Sequence, residues 1–151
     1  MTLFSLDVNV WLALSVSGHP HHDVASSWLE RLPDDSTLIF SRFTQLGLLR
    51  LLANNAVMGD NALTLGEAWA VYDRWLQDPR VEFYPEPRNV DAAFRRATEP
   101  FAGNAASKWV GDCWLLAYAK ATQARLVTFD QALCEFARKQ GNRAVIPGES
   151  R

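Results

Sequence analysis

VGDCWLLAYAKATQARLVTFD, residues 110–130, is an apolar helical pattern that runs into a short strand-like stretch and closes on an aspartate. From Asp112 to Gln123 a helix covers roughly 18 Å at about 1.5 Å per residue. The extended chain from Arg125 to Phe129 covers about 16 Å on the way back, at roughly 3.3 Å per residue. A helix running down and a strand of similar reach running back return Asp130 to the neighbourhood of Asp112. FSLDVNVWL, residues 4–12, repeats the pattern near the start of the chain, with Asp7 between a strand-like run and a helix. Three carboxylates at one end of a parallel sheet suit a hard divalent cation, which takes oxygen ligands. Asp112 and Asp130 each precede a helix and are equally placed to be N-caps. Asp7 follows a buried strand, where a carboxylate without a partner costs several kcal/mol of desolvation, so a cation is expected nearby.

Outward from these segments, short apolar runs alternate with helical patterns, which predicts an α/β fold. Strands are expected at Leu3 to Leu6, Thr37 to Phe40, Val81 to Tyr84, Arg125 to Thr128 and, at an edge, Arg143 to Ile146. Helices are expected at Val8 to Val16, Asp23 to Leu32, Thr44 to Ala53, Leu65 to Leu76, Val90 to Thr98, Asp112 to Gln123 and Gln131 to Lys139. Thr64 followed by Glu67 has the spacing of a capping box, and Pro79 stops the helix that it opens. These elements predict a mostly parallel five-stranded sheet with helices on both faces, a three-layer α/β/α plan. In such open sheets ligands bind beyond the carboxyl ends of the strands, where the strand order reverses; Asp7 and Asp130 sit at such ends.

With 151 residues, 48% of them hydrophobic, the chain fits one domain over residues 1–147 with a short tail at 148–151. No apolar run reaches the roughly 20 residues of a membrane helix, and no basic segment precedes a signal-like core. A soluble, unprocessed, cytoplasmic protein with no membrane partner is expected. Cys113 and Cys134 are not spaced as C-x-x-C and fall in apolar helical patterns, as buried free thiols do. The net charge of −2 is unlike that of a bulk-electrostatic nucleic-acid binder. It is unevenly spread, however. Residues 1–107 carry 8 Lys/Arg against 13 Asp/Glu, whereas residues 108–151 carry 7 against 4. With Asp112 and Asp130 neutralised by a metal, Lys108, Lys120, Arg125, Arg138, Lys139 and Arg143 are expected to draw a polyanion toward the site.

LDVNVWL, GDCWLLAYA and LVTFD together resemble the PIN domain, in the version found in VapC-type toxins of type II toxin–antitoxin pairs. HPHHDVASSWLERL resembles the second helix of those toxins and FTQLGLLRLLAN the third, and the helix from Leu65 to Trp75 followed by Asp78-Pro79 and Pro85 also fits. The resemblance implies a metal-dependent endoribonuclease directed at single-stranded RNA, using Mg²⁺ or Mn²⁺ to activate water and polarise the scissile phosphate. Asp7, Asp112 and Asp130 match the family's acidic residues, and Asn9 and Thr128 match polar positions beside the first and last of them. Asp7 and Asp112 are the first choice as direct ligands, with Asp130 acting through water or orienting the attacking water. The resemblance further implies a homodimer and an inhibitory VapB-like antitoxin. The second to fourth helices, with Leu48, Leu49, Leu51, Leu52, Trp69 and Trp75, are expected to supply those surfaces.

The sequence departs from the family at Gly47, where many PIN nucleases carry a glutamate. Three acids then hold the metal, and binding is expected to be weaker. Arg50, one turn on, is a candidate to fill the gap or to contact a phosphate. Lys108 and Trp109, just before Asp112, are candidates for phosphate contact and base stacking. His19, His21 and His22 do not have the spacing of a closed zinc site and are expected at a helix start. Two enzyme alternatives fit less well. A phosphatase of the haloacid dehalogenase type needs a second acid where Asn9 stands, and a phospho-receiver domain needs an acidic pair at the first strand. A catalytically inactive PIN-like module that binds RNA or protein is the reading that Gly47 favours.

Overall fold

In the computed structural model, which describes residues 1–149, strand β1 (Thr2–Leu6) lies at the centre of the sheet. Phe4 and Leu6 pack into one layer of helices and Leu3 into the other. Burial on both faces is why this strand reads as a continuous apolar run rather than an alternating one. β2 (Ser36–Phe40), β3 (Val81–Phe83), β4 (Arg125–Val127) and β5 (Ala144–Val145) complete the sheet in the order β3-β2-β1-β4-β5. Every pairing is parallel, with Thr2 opposite Ser36, Leu6 opposite Val127, Leu38 opposite Val81 and Leu126 opposite Ala144. The order reverses between β1 and β4, so a crevice opens beyond their carboxyl ends.

One face carries α1 (Val8–Ser15), α2 (His22–Glu30), α3 (Arg42–Leu52) and α5 (Leu65–Gln77) over a core that includes Trp11, Leu38, Phe40 and Leu48. Trp11 stacks on Phe40 with ring centroids 3.8 Å apart and meets Trp75 edge-on. The other face carries α6 (Val90–Thr98), α7 (Val110–Thr122) and α8 (Gln131–Lys139) around Leu116, Leu126 and Leu133. Tyr118, buried on α7, donates its hydroxyl hydrogen to the Tyr84 carbonyl at 2.8 Å, tying that helix to the segment after β3. This is the three-layer α/β/α plan, with a sheet that is wholly parallel. Cys113 and Cys134 are buried free thiols. Among the described residues no helix is long and apolar enough to cross a membrane.

Local chemistry sets the helix starts. Thr64 and Glu67 form the expected capping box at α5, and Ser41 forms a second one with Thr44. The Ser41 box moves the start of α3 back to Arg42 from the expected Thr44. α7 likewise starts at Val110 rather than Asp112, because a 3-10 turn at Ser107–Trp109 leads into it. A short helix, α4 (Asn55–Met58), and a 3-10 turn at Gly59–Asn61 were not foreseen; Asn54 caps the former by accepting from the Ala56 amide. β5 has two residues where four were expected. Of the tail expected at 148–151, Gly148 lies against Val24 and Glu149 pairs with Arg138, while residues 150 and 151 lie outside the described residues.

Candidate active site

Asp7 occupies the N-cap position of α1 with extended backbone, yet its side chain makes no capping hydrogen bond. Its Oδ2 instead accepts from the Thr128 hydroxyl at 2.9 Å. Thr128 is fully buried just beyond β4, and its oxygen also accepts from the Asp130 amide at 3.0 Å. One hydroxyl therefore bridges the ends of β1 and β4 at the point where the strand order reverses. The Asp7 amide donates to the Val127 carbonyl at 2.8 Å, fixing the same junction through the backbone. Asp130 does cap its helix: its Oδ1 accepts from the Leu133 amide at 3.1 Å, and the side chain is exposed. Asp112 does not cap; it lies in the first turn of α7, half-buried.

The three carboxylates feel one another. Burial raises Asp7 above its ordinary value; the Thr128 hydroxyl and the Val8 and Asn9 amides oppose the shift, and Asp130 adds to it. Burial, then repulsion from Asp7 and Asp130, pushes Asp112 up to about 6. Desolvation and like charge are the two influences that a bound cation relieves. The donors are hard oxygens, which suit Mg²⁺ or Mn²⁺. Among the described residues no three His, Cys, Asp or Glu side chains stand close enough to enclose an ion by themselves. An ion held by these acids therefore needs water to complete its shell, as Mg²⁺ commonly does.

Position 47 is closed to a side chain. A Cβ built on Gly47 would lie 2.5 Å and 3.2 Å from the two methyl carbons of Val8 and 3.4 Å from its Cβ. Val8 follows Asp7 directly, so the space beside the first aspartate on the α3 side holds a branched apolar group. Asn9 is exposed and makes no side-chain hydrogen bond among the described residues, and exposed Arg50 and Lys108 form no ion pair there. Trp109 is packed: its ring stacks on Phe101 at 4.9 Å and meets Phe136 edge-on. The histidines are local structure. His22 donates from Nδ1 to the Ala13 carbonyl, His19 Nδ1 accepts from the His21 amide, and the His21 ring stacks on Phe129 at 4.6 Å.

Two features escaped the sequence. Phe43, on the first turn of α3, is 40% exposed, stacks on Trp114 at 5.2 Å and lies 3.2 Å from a Cβ built on Gly111, next to Asp112. The small residue before Asp112 was its one signal. The basic residues also lie differently from the expectation. Lys120 closes α7, Arg125 opens β4 and Arg143 precedes β5, which puts all three at the amino end of the sheet, opposite the aspartates. Arg138 binds Glu149 at 3.2 Å and the Ala144 carbonyl at 3.0 Å.

The family model for the PIN domain matches residues 5–139. The chain is 38% identical over 134 residues to Ribonuclease VapC41 of Mycobacterium tuberculosis, covering 86% of this chain and 90% of the relative. Ribonuclease VapC29 of the same organism is 30% identical, with 93% of each chain covered. Among solved structures, VapBC2 from Rickettsia felis bound to a promoter DNA fragment superposes with a TM-score of 0.69 at 16% identity, over 96% of this chain and 98% of the other. VapBC-1 from nontypeable Haemophilus influenzae gives 0.68 at 16% identity, over 98% and 100%.

Proposed function

The chain belongs to the PIN-domain family, and on that premise we propose that it is the ribonuclease toxin of a toxin–antitoxin pair, a metal-dependent endoribonuclease acting through Asp7, Asp112 and Asp130. The observation that carries this is the placement of the three aspartates at the strand-order reversal, where the Thr128 hydroxyl ties Asp7 at the end of β1 to the Asp130 amide beyond β4 and Asp112 lies on the first turn of α7. Its relatives are named ribonucleases, which supports RNA as the substrate.

Mg²⁺ or Mn²⁺ bound at these oxygens supplies Lewis acidity for hydrolysis of the phosphodiester. The protein supplies placement. Thr128 holds the Asp7 carboxylate in one orientation through its hydroxyl, and the Leu133 amide holds that of Asp130. Asp112 approaches from the opposite layer on the first turn of α7. Asp7 and Asp112 are assigned as ligands, and Asp130 as a ligand through water or an orienter of the attacking water. Asn9, two residues after Asp7, and Lys108, four before Asp112, are exposed, and Arg50 lies one turn beyond Gly47. Phe43 offers a base an exposed aromatic face beside Asp112, which packed Trp109 does not.

The partners follow the same premise. Structural neighbours solved as VapBC complexes support a VapB-like antitoxin. Leu48, Leu49 and Leu52 are core residues, so the surfaces for the antitoxin and for a second copy fall to exposed apolar side chains of α3 to α5: Leu46, Val57, Leu65, Trp69 and Leu76.

The test is cleavage of structured RNAs in Mg²⁺, Mn²⁺ or EDTA by the parent, Asp7→Asn and Asp112→Asn. Cleavage by the parent in Mg²⁺ or Mn²⁺ only, with both variants at background, is expected; equal cleavage by all three rejects the assignment. A second reading, an inactive binding module, draws on Val8 filling the place of a fourth acid. Calorimetric titration with Mg²⁺ or Mn²⁺ separates the two, because an inactive module gives no heat that depends on Asp7 and Asp112.

A further inference from the structure

An open groove lies at the opposite end of the sheet from the aspartates. It encloses about 550 Å³ and takes Lys120, Arg125 and Arg143 from three separate elements, with no Asp or Glu among its lining residues. A second opening of about 540 Å³ continues along the edge strand past Arg125, Arg143 and Arg138. None of Lys120, Arg125 and Arg143 has a carboxylate partner among the described residues. In a chain of net charge −2, three cations with no carboxylate partner among the described residues line one open groove and give it a positive field.

Helix ends explain only part of this. Lys120 in the last turn of α7 offsets the negative end of that helix. Arg125 and Arg143 have no such role, since one opens a central strand and the other lies on the loop before the edge strand. The Arg125 guanidinium stands 5.9 Å from the centroid of the buried Phe4 ring, so it is held more closely than the exposed Lys120 and Arg143.

We infer that this groove binds the phosphate backbone of the RNA substrate at a distance from the cleavage site, an inference that rests on the ribonuclease reading above. A polynucleotide suits it better than a single captured phosphate. The groove adjoins the carboxyl-terminal ends of α7 and α8, whose carbonyl groups repel a lone anion held against the backbone. Side chains that reach out from three elements instead match charges repeated along a strand. An acidic polypeptide would need apolar anchors for tight binding, and the lining offers only Met1 and Leu3 as large apolar side chains. The groove and the acidic site lie at opposite ends of β4, so an RNA of several nucleotides is needed to reach both, at roughly 3.4 Å per stacked nucleotide.

The experiment measures anisotropy of a fluorescent 20-nucleotide RNA and a three-nucleotide RNA across a salt series in EDTA, so that binding is read without cleavage. The parent is compared with Lys120→Gln/Arg125→Gln/Arg143→Gln and with the exposed pair Lys120→Gln/Arg143→Gln, each checked by thermal melting. Arg74→Gln/Arg88→Gln is the control for charge elsewhere. Loss of three phosphate contacts flattens the dependence of log K on log salt by about 2, at roughly 0.7 per contact. The 20-nucleotide RNA is expected to bind at least tenfold more weakly to the triple variant, in part to the pair, and unchanged to the control, with the three-nucleotide RNA unaffected. Equal salt slopes for parent and folded variants overturn the inference, as does an equal loss in the control or a loss of polyglutamate binding with RNA binding intact. Cleavage of the same RNA in Mg²⁺ is scored separately: a raised KM with unchanged kcat is expected in the triple variant. Binding at the groove without cleavage would sink the ribonuclease reading alone, and cleavage indifferent to the groove would sink the groove alone.

Discussion

The Thr128 hydroxyl has one hydrogen and spends it on Asp7, while its oxygen receives the Asp130 amide. Thr128→Val keeps the shape and removes both bonds, leaving the Asp130 amide and the half-buried Asp7 carboxylate with one partner fewer each. We expect a stability loss of about 1–3 kcal/mol and cleavage slower by roughly 10–100-fold. Because Thr128 lowers the Asp7 pKa, the acid limb of the pH–rate profile should move upward; an unmoved limb would contradict this role. Asp112 gives a test in the opposite sense. Its folded value of about 6 exceeds its ordinary 3.8, so the fold penalises the charged form. The metal-free protein thus loses stability as pH rises from about 4 through 6, with the full penalty above that window and none below it. Asp112→Asn should stabilise the protein in EDTA at pH 7.5 by about 1 kcal/mol after allowance for solvent screening, seen as a higher melting temperature, and the gain should fade toward pH 4. Saturating Mg²⁺ should reverse the ranking, since the ion stabilises only a protein that binds it. Scanning fluorimetry in both buffers would show this, and a variant less stable than the parent in EDTA would refute it.

Among elements, the meeting of α1 and α3 decides how many acids the site can have. Gly47 was read from the sequence as a missing carboxylate, but the contact shows a position with no room. Overpacking costs about 1–3 kcal/mol, more than the roughly 1 kcal/mol that replacing a helical glycine returns. Gly47→Glu should therefore destabilise the protein without improving metal binding. Val8→Ala/Gly47→Glu should recover stability and bind Mg²⁺ more tightly than the parent by calorimetry. Tighter binding by the single variant would show that Val8 is no obstacle. The starts of α5 and α8 were legible because a cap is a matter of neighbouring residues: Thr64 with Glu67, and Asp130 with the Leu133 amide. The start of α7 was not, because a 3-10 turn supplied by Ser107–Trp109 precedes Asp112. Asp112 thereby becomes a first-turn residue, its side chain left for the site.

On the scale of the whole molecule, α5 leaves Leu65 63% and Trp69 44% exposed on one stripe with Leu76, and Leu46 on α3 is 51% exposed. Apolar surface of this kind marks an interface. Sedimentation should find a dimer of the parent and a folded monomer of Trp69→Glu; a parent that is monomeric at high micromolar concentration would exclude the homodimer. The opposite ends of the sheet also divide the charge, with carboxylates beyond β1 and β4 and unpaired cations where β4 and β5 begin. The excess of positive charge in residues 108–151 was visible in the sequence, but its direction was not. Asp130 follows Arg125 by only five positions, yet β4 between them sets them at opposite ends of the sheet.

By itself the sequence determined the α/β plan, nearly all of its elements, and the positions of Asp7 and Asp130 at the carboxyl ends of β1 and β4 and of Asp112 near the start of α7. Those depend on hydrophobic periodicity and on the lengths of a helix and a returning strand, both properties of the local chain. Only the tertiary structure decided that Val8 fills the space at Gly47, that Thr128 bridges two aspartates, that Trp109 stacks on Phe101 while Phe43 is 40% exposed, and that Lys120, Arg125 and Arg143 lie at the end of the sheet opposite the aspartates. Each of these is a contact or a direction between segments distant in sequence, fixed by how layers close-pack and which way a parallel strand points. Residue order alone carries neither.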